Sequence, residues 1–465
     1  MSSTIALQSS LPDPASTNPP KSAARASSLR WNFSWTFVGN VVYSACQWGM
    51  LVLLAKIGNP QMVGQYGLGM AIATPVLAFS SLQIRAILTT DVSERIHFGE
   101  YLGFRLLTTL LSLVVITGIA FRSGHAIPVI IAIGVAQAIE MVADLYWGRM
   151  QFHDNMDRIA KSMIVRGVLG LAAMAAAVYW THSVLWGALA LVFARAAVLV
   201  GYDMTKRAQL LPRATPSQAE AVLPAGTNAL RPRWSLSVQS ELLRTSITLG
   251  VIAALVSLLP NLPRYFIVGS QGERALGIFT ATAFLVSSGN LIVTALGQSA
   301  FVPLAKYYAA GDLRRFKLLL AKLLGIVAVL GLGGIAVSML FGKILLTLLY
   351  RPEYAEHTDL LVAMMIGGGL SYLSSLMGSA VTATRCFTRQ IPLLAIAVAS
   401  TAVASKFLVP SHGLLGAAIA VIITSTVMCV GECILLWYVF SKAPVPQNAV
   451  SSTNPPENWE PKASI

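Results

Sequence analysis

The sequence predicts an all-α polytopic membrane protein of about twelve transmembrane helices, arranged as two parallel six-helix bundles around a central cavity. Three observations lead there. Of 465 residues, 55% are hydrophobic and only 11% charged, with a mean hydropathy of +0.68. Soluble domains carry roughly 25% charged residues, so lipid must solvate much of this chain. Apolar runs of about 20 residues, long enough to cross about 30 Å of hydrocarbon, recur along nearly its whole length. Finally, the second half echoes the first at an offset of 213 residues, as a duplicated bundle would.

Taken in order, the spans fall near 33–57, 63–88, 102–121, 125–147, 162–181, 183–204, 245–269, 276–300, 318–341, 360–384, 390–409 and 413–440. Pro75 lies inside the second, and Pro260 and Pro263 inside the seventh. Proline removes a backbone donor and disturbs a helix, so these two are expected to be irregular. Residues 1–30, rich in Ser, Ala and Pro without an apolar stretch, read as a disordered tail, which leaves the first span as the insertion signal. The expected organisation is a cytoplasmic tail 1–30, an N-terminal bundle 31–204, a cytoplasmic linker 205–243, a C-terminal bundle 244–442 and a cytoplasmic tail 443–465.

Charge sets the expected orientation. Of 33 Lys and Arg, 25 lie in the two tails and alternate connections, seven lie in the other connections, and Arg195 lies within the sixth span. The positive-inside rule then places both termini and the linker in the cytoplasm. The net charge of +14 is thereby topogenic. Its spread over many short loops argues against nucleic-acid binding, which needs a basic patch on a polar domain.

The repeat aligns Lys56-Ile57-Gly58 through Gly64-Gln65-Tyr66 with Ile267-Val268-Gly269 through Gly277-Ile278-Phe279, and sets Arg30 one residue from the counterpart of Arg244. With six helices each, the halves run parallel about an axis along the membrane normal, which suits two bundles that rock around a central site. Membrane enzymes also duplicate, so catalysis is tested on its own signals. The longest external connection, 342–359, is short. The chain has no carboxylate pair placed for acid catalysis, no His-Glu-x-x-His and no Gly-rich phosphate loop. No catalytic residue and no cofactor are expected. Cys46, Cys386, Cys429 and Cys433 lie in or beside spans without clustered His or carboxylates, and read as packing residues with no metal.

Polar residues inside the spans mark the candidate cavity. Asn40, Ser44 and Gln47 share one face of the first span, Asn290, Thr294 and Gln298 one face of the eighth, and Ser371, Ser375, Ser379 and Thr382 one face of the tenth. Amides and hydroxyls beside aromatic rings suit sugars, although Ser and Thr in membranes also serve close helix packing. Arg195 and Arg264 lie at depth, while 31–55 and 245–272 contain no Asp or Glu. Excess cation in hydrocarbon favours an anionic cargo such as a phosphate or diphosphate. Arg30, Arg85 and Arg244 lie nearer the cytoplasmic ends, where the same chemistry competes with a role as topology signals or lipid-phosphate anchors. Glu140 and Asp144 share a face of the fourth span and are candidates for ion coupling, with Arg149 or Arg158 as expected partners.

At several of these positions the chain resembles a known family. Leu54-Ala55-Lys56-Ile57-Gly58 to Gly64-Gln65-Tyr66-Gly67-Leu68, Leu82-Gln83-Ile84-Arg85 to Thr90-Asp91, Pro263-Arg264-Tyr265-Phe266-Ile267 and Leu408-Val409-Pro410 to Gly413-Leu414-Leu415-Gly416-Ala417-Ala418 are similar to stretches of the bacterial polysaccharide transporters, as is Leu348-Leu349-Tyr350-Arg351-Pro352-Glu353-Tyr354-Ala355. That family includes the O-antigen flippases of the multidrug/oligosaccharidyl-lipid/polysaccharide exporter superfamily, and the resemblance covers roughly 30–440. It implies two six-helix bundles in a bacterial inner membrane. It also implies a polyprenyl-pyrophosphate-linked oligosaccharide as cargo, flipped by alternating access, with a polymerase and glycosyltransferases as partners in the pathway. Peptidoglycan-precursor flippases and multidrug exporters of the same superfamily are the alternatives. The drug exporters commonly use an acidic residue in the first span, and this chain has none there.

Overall fold

The computed structural model describes residues 21–91, 95–205, 231–384 and 389–441, with backbone alone for 21–30, 32 and 33. The Arg30 side chain, Cys386, most of the 205–243 connection and most of both tails lie outside the described residues. The N-terminal half contains α1 (Lys21–Ile57), α2 (Pro60–Ser81), short α3 (Ile84–Thr90), α4 (Phe98–Ser123), α5 (Ile127–Phe152), α6 (Met156–Thr181) and α7 (Val184–Val198), which ends in a π-helical turn, Leu199–Asp203. The second half contains α8 (Leu236–Ala309), α9 (Leu313–Leu349), short α10 (Pro352–Ala355), α11 (Thr358–Ala383) and α12 (Gln390–Ser441).

Among the described residues, ten helical segments are long and apolar enough to cross a membrane. Two of them are broken once by a glycine with positive φ, α8 at Gly272 (φ 81°) and α12 at Gly413 (φ 64°). Other residues meet steric clash in that conformation. Each break turns the chain back, so the ten segments make twelve crossings, as the hydropathy predicts. Pro260 and Pro263 stay within continuous helix; the irregularity expected of the seventh span lies instead at Gly272. In the second span the helix also continues through Pro75 and breaks at Leu82 and Gln83, both left-handed (φ 47° and 50°).

Apolar faces explain how the helices assemble. On α4, Leu110, Leu111 and Val114 are each more than 60% exposed, while Ile116 is fully buried. The exposed stripe is what lipid covers. A large apolar cluster runs through both halves, and a smaller one gathers Leu82, Ile84, Tyr101, Phe104, Tyr146 and Trp147 at the side of the 205–235 connection, called here the linker side. Leu242 joins that smaller cluster. The first turns of α8 therefore pack on the N-terminal bundle before the helix enters the C-terminal one.

The bundles meet chiefly where α2 lies along α8, and at the far side from the linker the contact is pseudo-symmetric. A Cβ on Gly64 would come within 1.8 Å of the Glu273 carbonyl oxygen, and one on Gly277 within 1.8 Å of the Pro60 carbonyl oxygen. Pro60 and Glu273, like Gly64 and Gly277, are 213 residues apart. Equivalent backbone of the two repeats touches, and only glycine permits the approach.

Candidate functional site

A cavity of about 640 Å³ opens between α1, α2, α3, α4 and α5. Its lining begins near mid-span at Gln47, Gln137 and Glu140, and it ends at Gln83, Ala86 and Gln151 on the linker side.

Local structure places its charged groups. The left-handed pair Leu82–Gln83 ends α2 and redirects the chain into α3, which carries Arg85 against α5. Gly148 leaves room there, since a Cβ would stand 3.0 Å from Arg85 Cγ. Arg85 Nη1 donates to Asp144 Oδ1 at 2.7 Å, and its Nε and Nη2 donate to Gln151 Oε1 at 3.1 and 2.8 Å. One turn deeper on α5, Glu140 accepts a short hydrogen bond from the Tyr43 hydroxyl, which in turn accepts one from Gln47 Nε2 at 2.9 Å. The partners of Glu140 and Asp144 are thus Arg195 and Arg85, in place of the expected Arg149 or Arg158.

Arg195 is not a free cation. Buried on α7, it lies 2.8 Å from Glu140 Oε2 and donates to Gln137 Oε1 at 2.6 Å and to the Ala136 carbonyl at 3.0 Å. It stands behind the acid that lines the cavity. The sequence shows an acid-free first span but not that α5 supplies the counter-charge, because helix pairing is a tertiary fact.

The group that stands out most is one that the sequence did not mark. Arg105, in the third turn of α4, lines the cavity, is 0% exposed, and has no hydrogen-bond partner among the described residues on any of its three guanidinium nitrogens. Asp144 is the acid within its electrostatic reach. Arg105 lies at the start of the expected span 102–121 and is counted with the basic residues of the connection before it, but α4 already begins at Phe98. The available signal was spacing, because Arg105, Thr109 and Ser112 form a buried polar stripe on an otherwise apolar helix. Arg166, similarly placed within α6, forms a fully buried ion pair with Asp203 in the π-helical turn, at 2.5 Å. Ser162 and Trp147 complete that pair by donating to Asp203 Oδ1 at 2.6 and 3.3 Å.

The structure brings four of the expected site residues, Gln47, Arg85, Glu140 and Asp144, into one cavity. The other described ones sit apart from its lining. Arg264 is half-buried on α8 with its Nε unbonded, next to Tyr265, whose hydroxyl donates to the Ala71 carbonyl. Arg244 is exposed on the same helix, Asn290 is exposed on its second arm, and Asn40 is exposed and donates to the Thr36 carbonyl at 2.9 Å. Among the described residues no group of His, Cys, Asp or Glu forms a metal site.

No family model matches the chain. Its fold is that of polytopic transporters. It superposes on an inward-facing MATE-family multidrug resistance transporter of the MOP superfamily with a TM-score of 0.69 at 12% identity, over 90% of this chain and 100% of that one. It also superposes on the lipid II flippase MurJ in an inward closed conformation, with a TM-score of 0.64 at 10% identity over 87% of each chain. In sequence it is 23% identical over 412 residues to the capsular polysaccharide biosynthesis protein CapF of Staphylococcus aureus, across 88% of this chain and 98% of that protein.

Proposed function

We propose that this chain is a flippase that carries a polyprenyl-diphosphate-linked oligosaccharide from the inner to the outer leaflet of a bacterial inner membrane. The observation that carries this reading is Arg105, a buried guanidinium without a partner on the wall of a cavity. An uncompensated charge at such depth is unfavourable and is typically retained for function. A diphosphate between Arg105 and Arg85 would supply the missing acceptors, with the bidentate geometry guanidinium favours. Gln47, Gln83 and Gln137 offer amides to sugar hydroxyls. Arg195 then acts indirectly, by holding Glu140.

With the termini and linker cytoplasmic, as the positive-inside rule predicts, the cavity faces the cytoplasm and the glycine seam closes the outer side. This is the conformation that would load cargo. Asn290, Thr294 and Gln298 are exposed at membrane depth, and we assign them to the C-terminal wall of the same cleft. Arg264 would meet the phosphates later in the cycle. Arg30, Arg244 and Asn40 would guide the cargo at the mouth. The capsule-biosynthesis name of the relative and the lipid cargo in the name of the flippase neighbour favour a lipid-linked sugar over a drug. Glycosyltransferases would build the cargo inside, and a polymerase would consume it outside.

Deleting the gene tests the reading. A complete lipid-linked oligosaccharide should accumulate on the cytoplasmic leaflet, because a flippase changes location and no bonds. Accumulation of an intermediate lacking one sugar would instead identify a glycosyltransferase.

A further inference from the structure

We infer that Asp144 is a proton acceptor linked to cargo loading: the incoming diphosphate takes Arg85 from it, and Asp144 binds a proton from cytoplasmic water. The inference rests on the flippase reading above and adds how the charge of the cargo is balanced.

Charge counting carries the argument. Around the cavity stand three guanidiniums, Arg85, Arg105 and Arg195, and two carboxylates, Glu140 and Asp144. If all are ionised the wall holds one net positive charge. A diphosphate diester carries two negative charges, so loading it leaves one negative charge uncompensated in a poorly polarisable site, where Coulomb energies are several-fold larger than in water. One proton restores neutrality.

Geometry selects the carboxylate that takes it. Glu140 is held from two sides, by Arg195 on α7 at 2.8 Å and by the Tyr43 hydroxyl on α1. Asp144 has one hydrogen-bonded partner among the described residues, Arg85 Nη1 on α3. Both members of that pair are 31% exposed to the cavity, so a ligand can reach between them. The remaining groups facing Asp144 are Arg105 on α4, already within its electrostatic reach, and the neutral Gln151 and Trp147 on its own helix. Arg105 cannot keep Asp144 ionised once it grips phosphate. Asp144 is then left beside a dianion without a cation of its own, the arrangement that most strongly favours a protonated carboxyl. No covalent bond changes, and the loaded cavity is neutral.

The test is isothermal titration of the purified full-length protein, near neutral pH, in two buffers of different ionisation enthalpy. The probe is a short-chain prenyl diphosphate ester of a single N-acetylhexosamine, compared with its monophosphate counterpart. Loading the diphosphate should take up about one proton, and its affinity should weaken by about tenfold per pH unit wherever a whole proton is taken up. The monophosphate, whose single charge the wall already matches, should bind with almost no uptake. Asp144→Asn should bind the diphosphate with no uptake. Equal uptake for both probes, or none for the diphosphate, overturns the inference while leaving the flippase reading intact. Undiminished uptake in Asp144→Asn would assign the proton elsewhere and also overturn it. Failure of the wild-type protein to bind either probe overturns the reading on which the inference rests.

Discussion

Two buried arginines in the N-terminal bundle should respond to the same substitution in opposite ways. Arg105 and Arg166 are 0% and 1% exposed, but Arg166 faces Asp203 and Arg105 faces a cavity without a hydrogen-bond partner. Replacing Arg166 with Met takes away the guanidinium 2.5 Å from Asp203, which is itself 0% exposed. Breaking a buried pair from one side costs about 3–5 kcal/mol. Replacing Arg105 with Met orphans no partner and removes an uncompensated charge, so stability should hold or rise.

Function should show the reverse. If Arg105 grips phosphate, its loss removes one or two charge-assisted hydrogen bonds of about 1.5–3 kcal/mol each. Binding of the prenyl diphosphate probe should then weaken by roughly 10- to 100-fold or more. Size-exclusion profiles after heating would report stability, and calorimetry would report binding. Arg105→Met should match wild type in the first and fail in the second, whereas Arg166→Met should fail in the first. Wild-type binding by Arg105→Met, or a loss of stability equal to that of Arg166→Met, would refute the assignment of Arg105 to the cargo.

Three further outcomes are expected. Gly277→Val places side-chain atoms where the Pro60 carbonyl lies, so it should force the outer seam apart. Export should fail in an inserted protein, and a cysteine at Gln65 should become reactive to an impermeant maleimide in intact cells; an unreactive cysteine would count against the seam as the outer closure. In the same assay a cysteine at Glu356 should react in intact cells and one at Ala219 only after permeabilisation, and the opposite pattern would invert the orientation. Glu432 is buried on α12 with Oε2 unbonded, so Glu432→Gln should preserve protein level, while Glu432→Lys should abolish it. A severe loss with Gln would mean that the carboxyl itself is needed.

The parts of this fold legible in the sequence are those set by one-dimensional physics. Run length against bilayer thickness recovers twelve crossings. The faint match of Gly64 to Gly277 marks a contact that the structure then makes between those same glycines. The signal survives there because backbone contact across the seam tolerates no side chain. Side-chain partners were not legible, since they depend on which helices pack together. The shared face of Glu140 and Asp144 on α5 was visible, but α7 and α3, which supply their arginines, are distant in sequence. Arg105 and Arg166 were misread for a different reason. Both lie near the starts of the expected spans 102–121 and 162–181 and are counted with the basic residues of the preceding connections, whereas their helices already begin at Phe98 and Met156. Moving them into the spans leaves 23 basic residues against seven, and the predicted orientation is unchanged.

The distribution of charge also bears on how the two bundles can move. Arg85–Asp144, Arg195–Glu140 and Arg166–Asp203 each lie wholly within α1 to the π-helical turn after α7. Rocking one bundle against the other therefore breaks none of these pairs, which would be costly to separate. The polar contacts that cross between bundles are mostly at exposed positions. Gln61 and Gln65 donate to Glu273 at 3.2 and 2.8 Å, Arg351 donates to the Lys56 carbonyl at 2.8 Å, and Arg95 pairs with Glu241 at the linker side. Exposed ion pairs contribute about 0–1 kcal/mol each, because water replaces what is lost. The Tyr265 hydroxyl also donates across the bundles, to the Ala71 carbonyl, in a partly buried bond that is neutral. A seam of glycine backbone with a wet polar rim can open at small cost, while the charged cavity travels intact within one bundle. Alternating access requires that division, and it explains why the unpartnered Arg105 stands in the cavity wall and not at the seam.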